Sequence, residues 1–458
     1  MIHRALPVAL LIAALASPAA ADPVDDLMRS YMEASHIPGA AVAVVDDGGV
    51  EKLEAYGIAD LAQGREVTPD TPFQLASASK IFTGVILMRL SEQGVIRLDD
   101  SVTLYLPEAP ETWKPVTLRQ LASHMSGMPE RLGLPPSATA QEVAQAAMTR
   151  PLAYEPGSES RYGFTDFIVL TAALEKATGL PFADLLRREI TTPLGLTNTG
   201  FTFATQGAPA APSQVRGETL IYDWRDGVQQ NDTFLYAPQG YAAGGLYSSA
   251  RDLAKLFVAI DAGEFLSAES FAALTTAAPL NDGRPGGFAI GWTANTYRGE
   301  PVFGHSGGPA LADILHVPSK RLTLIALTNQ RRFFPLLAQS IADTELPAIA
   351  PRPPTPDSRP ELTSAVAAAL TSAGAGTLDK ALFTMEGDAS HGFLSDFGRA
   401  LLTAVGPLQG LDLLSEASAG DSVRRSYRAR FANREMVWIV RFDADGLFAE
   451  LRPGGEND

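Results

Sequence analysis

Phe73-Gln74-Leu75-Ala76-Ser77-Ala78-Ser79-Lys80 runs directly into an apolar segment, Ile81 to Leu90. The stretch predicts a turn feeding a helix, with Ser77 at or near the helix start and Lys80 one turn later on the same face. A serine hydroxyl becomes a nucleophile only when a base takes its proton. A lysine three residues on serves as that base if burial or a neighbouring cation lowers its pKa. A helix start also favours developing negative charge through its free N–H groups and its dipole. Taken alone, Ser-x-x-Lys reads first as an ordinary helix N-terminus with a surface lysine.

Upstream, Val24 to Ser35 has helical spacing and is stopped by Ile37-Pro38-Gly39. Ala40 to Val45 is a β-type run, Asp46-Asp47-Gly48-Gly49 a hairpin turn, and Val50 to Tyr56 the returning strand. Downstream, Val116–His124, 140–150 and 164–178 read as helices. After Tyr241 a helix over Ala250–Ala259 precedes strands at Gly287–Trp292, Val302–Gly304, Ala312–Val317 and Leu322–Thr328, then a helix over Arg332–Ile341. The expected fold class is α/β in the mixed, antiparallel sense (α+β). An antiparallel sheet is built from the two ends of a domain and flanked by helices, with a helical insertion between them.

The 458 residues suggest more than one domain, and the formal charge of −16 argues against nucleic acid or an anionic membrane surface as partner. Met1-Ile2-His3-Arg4 is basic, Ala5–Ala16 is apolar but too short to span a bilayer, and Ser17-Pro18-Ala19-Ala20-Ala21 offers a small-residue cleavage site. The expectation is a signal peptide at 1–21 and a periplasmic or secreted chain without stable membrane insertion. The absence of cysteine excludes disulfides, thiol catalysis and cysteine metal sites. A main domain is expected over 22–345, a proline-rich linker over 346–360, and a small C-terminal α+β domain over 361–458. The last shows no catalytic spacing.

Three separated pieces carry chemistry together: Ser77-x-x-Lys80, Arg161-Tyr162-Gly163-Phe164 before a helix, and Gly304-His305-Ser306-Gly307-Gly308 after Val302-Phe303. A tyrosine relays a proton when a nearby cation stabilises its phenolate. The paired glycines let a substrate lie against the strand edge and expose a backbone N–H for an oxyanion hole. His305 offers a donor near that strand, and His124 reads as a structural histidine at a helix end.

With Ile37-Pro38-Gly39, Leu121-Ala122-Ser123-His124-Met125-Ser126-Gly127 and Gly244-Gly245-Leu246-Tyr247-Ser248-Ser249-Ala250-Arg251-Asp252-Leu253 in the expected order, residues 24–345 resemble serine hydrolases related to class C β-lactamases. That family includes D-alanyl-D-alanine carboxypeptidases, D-aminopeptidases and esterases. The resemblance implies a β-lactamase/transpeptidase-like fold and a two-step acyl transfer on a small-molecule or peptide substrate with an ester or amide bond. Ser77 is then the nucleophile, Lys80 and Tyr162 handle its proton, and the N–H groups of Ser77 and Gly308 hold the oxyanion. His305, Ser306, Gly307 and Phe164 face the substrate. No metal or organic cofactor is implied, and either Lys80 or Tyr162 serves as the base.

Two positions depart from the family pattern. Phe164 stands where an asparagine is usual, and His305 where β-lactamases usually carry lysine. Both favour an esterase or peptidase-like hydrolase over a β-lactamase. The alternatives are a class C-type β-lactamase and a catalytically weak penicillin- or peptidoglycan-binding protein. Gly304-x-Ser306-x-Gly308 also matches a nucleophile elbow, but Pro309 and a strand-like segment follow it where that elbow requires a helix.

Overall fold

The computed structural model describes residues 22–201, 216–308, 311–331, 337–346, 353–395, 397–419 and 422–454. The expected signal peptide lies outside these residues, as do 332–336 of the expected Arg332–Ile341 helix and 347–352 of the expected linker.

A seven-stranded antiparallel sheet organises the larger part. Its strands are β1 (Gly39–Asp46), β2 (Gly49–Asp60), β3 (Arg65–Glu66), β4 (Thr293–Tyr297), β5 (Glu300–Gly307), β6 (Ala312–Val317) and β7 (Leu322–Thr328), in the order β3-β2-β1-β7-β6-β5-β4. The chain thus builds one half of the sheet early and the other late, joining them where β1 pairs with β7, Ala40 opposite Thr328. The continuous apolar run of β1 has a reason in this geometry. Ala41, Ala43 and Val45 face one core and Ala40, Val42 and Val44 the other, because successive side chains alternate across a strand. Helices α1 (Pro23–Ala34) and α5 (Leu337–Glu345) close the second core with Val24, Met28, Leu337 and Ile341.

On the other face lies α2 (Ser79–Glu92). It is buried nearly all round, from Ser79 through Met88 and at Leu90, as expected for a helix at the centre of a large core rather than on its surface. Two further helices, α3 (Thr165–Thr178) and α4 (Ala250–Asp261), pack into the same core through Phe167, Leu170, Leu253 and Phe257.

Two elements depart from the sequence expectation. Gly287–Trp292 forms bends rather than a strand, and the strand starts at Thr293. This segment is wedged against α2. A Cβ on Gly291 would lie 2.5 Å from the Lys80 carbonyl oxygen, a Cβ on Gly84 would lie 2.1 Å from that of Ile290, and Trp292 Nε1 donates to Ile81 O at 3.3 Å. Close helix contact replaces strand pairing there. The second is a hairpin, Tyr222–Arg225 with Val228–Asn231. Its turn residues Asp226 and Gly227 both have positive φ, 51° and 79°, and Asp-Gly is the local signal for such a turn.

Beyond residue 353 a second set of elements has its own core. Helices α6 (Pro360–Ala375), α7 (Asp388–Ser395) and α8 (Phe397–Val405) accompany a four-stranded antiparallel meander of β8 (Leu408–Ala419), β9 (Ser422–Phe431), β10 (Glu435–Phe442) and β11 (Phe448–Gly454). Val366, Leu370, Leu413, Tyr427, Trp438 and Phe448 fill that core. Fully buried Arg425 ties it to the preceding segment through Asp357 at 3.0 Å and pairs with Glu416 of β8 at 2.5 Å.

Candidate active site

Ser77 lies in a single 3-10 turn, Ala76–Ala78, just before α2 rather than inside it. Neighbours pin this turn on both sides. Phe73–Gln74 pairs antiparallel with Tyr247–Ser248, Leu75 N donates to Leu246 O at 2.8 Å, and Leu246 N donates to Ser79 Oγ at 3.0 Å. Ala76 is held at φ 44°, a left-handed conformation that side-chain-bearing residues rarely adopt. Such strain persists only where the surroundings over-determine it, and it concentrates at functional sites. On the far side, β5 runs so close that a Cβ on Gly307 would lie 1.8 Å from the Leu75 carbonyl oxygen. Only glycine lets the strand pass the serine turn at this distance.

Lys80 is completely buried. Its Nζ donates to Tyr162 Oη at 2.7 Å and to the Ala243 carbonyl at 2.8 Å, and Tyr162 Oη donates to Ser77 Oγ at 2.8 Å. The three side chains form one hydrogen-bonded line with the tyrosine in the middle. Burial pushes the Lys80 pKa down to about 7, against the opposing pull of Asp166 and Glu130. Burial pushes Tyr162 up to about 12, with the Ser77 hydrogen bond opposing. Tyr162 exposes 47% of its surface, yet its hydroxyl rests on the buried lysine. Near neutral pH the lysine amine is thus partly unprotonated and the phenol neutral, an arrangement able to pass a proton between serine and lysine.

The Ala243 carbonyl was not legible as a site group. It belongs to the irregular turn Tyr241–Gly245, whose Ala242 carbonyl also accepts from Thr83 Oγ1 at 2.8 Å. The Gly244-Gly245 pair was its only sequence signal.

Behind Tyr162 stands a buried polar group. Asp166, in the first turn of α3, accepts from Ser126 Oγ and lies 3.0 Å from His124 Nδ1. Burial raises the Asp166 carboxyl to about 7 and holds His124 well below its usual value. Glu130 accepts from Thr165 N at 2.9 Å and so caps α3, whose preceding residue, Phe164, has no capping side chain.

His305, Ser306, Gly307 and Gly308 lie at the end of β5 beside the serine turn. Burial pushes His305 down to about 3, so its ring is neutral. Its Nδ1 lies 2.7 Å from the Ser306 carbonyl, an acceptor, so Nδ1 carries the proton. The donor expected from sequence is therefore spent on the backbone, and Nε2 is a buried lone pair without a partner. The His305 and Tyr162 ring centroids are 6.0 Å apart. Ser306 sits inside an antiparallel pair, opposite Asp313, and donates to Asp313 Oδ1 at 2.7 Å. It is not on the strand-to-helix turn of a nucleophile elbow. Phe164 is 37% exposed, stacks with Tyr236 at 6.3 Å, and lies over Gly240, where a Cβ would meet its Cζ at 2.9 Å. Tyr236 in turn packs beside Ala76 and Leu311. An aromatic wall thus stands where the resemblance expects an amide.

Among the described residues, no cluster of three His, Cys, Asp or Glu side chains is arranged to hold a metal ion, and no helix is long and apolar enough to cross a membrane.

The Beta-lactamase family model matches residues 24–345. Penicillin-binding protein 4* of Bacillus subtilis (strain 168) is 26% identical over 64% of this chain and 69% of its own length. The teichoic acid D-alanine hydrolase of Staphylococcus aureus is 28% identical over 52% of this chain and 58% of its own. Among solved structures, the octameric penicillin-binding protein homologue from Pyrococcus abyssi aligns over 94% of this chain and 98% of its own with a TM-score of 0.60 at 19% identity. D-amino acid amidase from Ochrobactrum anthropi SV3 aligns over 71% and 99% with a TM-score of 0.58 at 22% identity. At these identities the structural likeness speaks for the fold.

Proposed function

The chain belongs to the β-lactamase family of serine hydrolases, and from that membership we propose that it is an exported acyl-enzyme hydrolase whose nucleophile is Ser77. The observation that carries this reading is the line from Ser77 Oγ through Tyr162 Oη to Lys80 Nζ, with steps of 2.8 and 2.7 Å. Ser77 Oγ attacks the substrate carbonyl carbon. Its proton passes to Tyr162 Oη as the phenol proton passes to the Lys80 amine. The N–H groups of Ser77 and Gly308 stabilise the oxyanion. Collapse of the tetrahedral adduct expels the alcohol or amine, which takes the proton back along the same line. Water then repeats the sequence on the acyl-enzyme and frees Ser77.

The surroundings favour neutral esters over carboxylate-bearing β-lactams and D-amino-acid peptides. A neutral His305 offers no charge to a carboxylate, and Phe164 offers no hydrogen bond to an amide. Residues 1–21 support export through their basic start, short apolar run and small-residue end. The test is a fluorophosphonate label followed by peptide mapping. An adduct on Ser77 that is absent from Ser77→Ala, together with turnover of p-nitrophenyl esters above that of D-Ala peptides and nitrocefin, supports the reading. A folded protein that takes no label, or one labelled at Ser306, sinks it.

A further inference from the structure

His124 is an odd core residue. It is 1% exposed and held at φ 56°, and its Nε2 has no hydrogen-bond partner. The last two oppose stability: an orphaned buried polar atom loses its hydration without replacement, and a left-handed backbone strains a side-chain-bearing residue. What the arrangement achieves lies at Tyr162. Arg161 N donates to the His124 carbonyl at 2.9 Å, and Gly163 N donates to His124 Nδ1 at 3.2 Å. The histidine therefore grips the backbone immediately before and immediately after the tyrosine, once with its main chain and once with its ring. The positive φ turns carbonyl and imidazole toward the same segment. The imidazole also packs on the phenol, with centroids 4.5 Å apart, and on Phe167 and Phe288.

The ring is itself oriented. Asp166 Oδ2 sits 3.0 Å from Nδ1; because Nδ1 accepts from Gly163 N it carries no proton, so the buried Asp166 holds it as the neutral acid, donating from Oδ2, while Ser126 Oγ donates to the other carboxyl oxygen. Both partners come from the same turn, His124 to Met128, whose Met128 N donates to Ser126 Oγ at 3.0 Å. Gly163 has no room for a side chain, because a Cβ there would lie 2.7 Å from Asp166 Oδ2 and 2.8 Å from Glu130 Oε1. The segment 161–166 is thus seated in one position against this turn.

We propose that His124 is the positioning residue of the proton line: it holds Tyr162 in register with Ser77 and Lys80 by clamping the peptide on both sides of it, and Asp166 holds the imidazole. His124 touches neither Ser77 nor substrate in this role. The proposal rests on the acyl-enzyme reading above. Since a near-ångström displacement of a reacting group can cost about 100-fold in rate, loss of the clamp lowers kcat while leaving KM in place.

The test compares His124→Asn, His124→Phe and His124→Ala in the full chain, with kcat and KM for a p-nitrophenyl ester, the fluorophosphonate labelling rate and a thermal melt. Asparagine tolerates positive φ and its side-chain oxygen accepts from Gly163 N, so His124→Asn is expected to keep kcat within about threefold. His124→Phe keeps the ring packing but loses the acceptor, and His124→Ala loses both. In each, kcat and labelling rate are expected to fall about 10–100-fold at unchanged KM. If His124→Ala does not fold, His124→Phe carries the comparison. Folded His124→Phe with wild-type kcat overturns the proposal, as does His124→Asn impaired as deeply as His124→Phe. Failure of wild-type protein to label at Ser77 instead removes the acyl-enzyme reading, so the two failures are distinguishable.

Discussion

Tyr162 stands between Ser77 and Lys80, its hydroxyl 2.8 Å from one and 2.7 Å from the other. No direct hydrogen bond joins serine and lysine, so the tyrosine is the link. Tyr162→Phe is accordingly expected to lower kcat by about 10²–10⁴-fold, the usual worth of a positioned acid–base group, with little change in KM. Steady-state kinetics on a p-nitrophenyl ester check this. A variant within threefold of wild type would show that protons bypass the phenol.

The pH profile carries a sign. Lys80 is a base only when unprotonated, and burial brings its pKa down to about 7. kcat/KM is expected to rise with pH through about 7 and then level. Stability follows the same direction over a different window. The folded pKa lies below the unfolded value of 10.5, so the unfolded chain binds more protons between about 7 and 10.5, and this lysine's burial penalty is relieved as pH rises. Lys80→Met, lacking the titrating amine, is expected to lose turnover and this contribution together, as a pH series of ester kinetics and thermal melts would show.

Phe164 and Gly240 form a testable couple. Gly240→Ala places a methyl 2.9 Å from the Phe164 ring and is expected to reduce ester turnover several-fold. In a Phe164→Ala background the same change is expected to be nearly silent, a double-mutant cycle with a coupling of about 1 kcal/mol. Phe164→Asn is expected to raise turnover of D-Ala peptides or nitrocefin relative to esters. An unchanged ratio would separate this side chain from substrate choice.

Gly307→Ala forces β5 away from the serine turn, since the new methyl would sit 1.8 Å from Leu75 O. The backbone shift is expected to destabilise the protein by about 1–3 kcal/mol and to abolish labelling at Ser77. Calorimetry and fluorophosphonate labelling read the two effects separately.

Arg425→Leu leaves Asp357 and Glu416 without their buried cation. Both carboxylates reach solvent and Glu416 keeps Arg359, so the expected loss is on the order of 1 kcal/mol, confined to the transition that melts the core of Val366, Tyr427 and Trp438. Ester turnover is expected to persist, and equal loss of activity would tie that core to the site.

Much of this was legible locally. Ser77 and Lys80 one turn apart, the β1 run and the β5 glycines follow from spacing and from what glycine permits. Gly287–Trp292 misled because an apolar run with glycines serves close packing on a helix as well as a strand, and periodicity does not separate the two. His124 read as structural because its grip on residues 161 and 163 exists only after folding.

Which side chains are candidates to react follows from short-range pattern, because spacing along the chain fixes which of them share a helical turn or a strand edge. That they meet is a property of the folded chain. Tyr162 reaches its partners across sequence separations of 82 and 85 residues, and the Ala243 carbonyl reaches Lys80 across 163. The same burial that brings Lys80 down to about 7 and His305 to about 3 comes from chain segments far from either residue. Desolvation belongs to the packed core, so the protonation states that separate a surface lysine from a buried one with a lowered pKa were written in the fold and not in the motif.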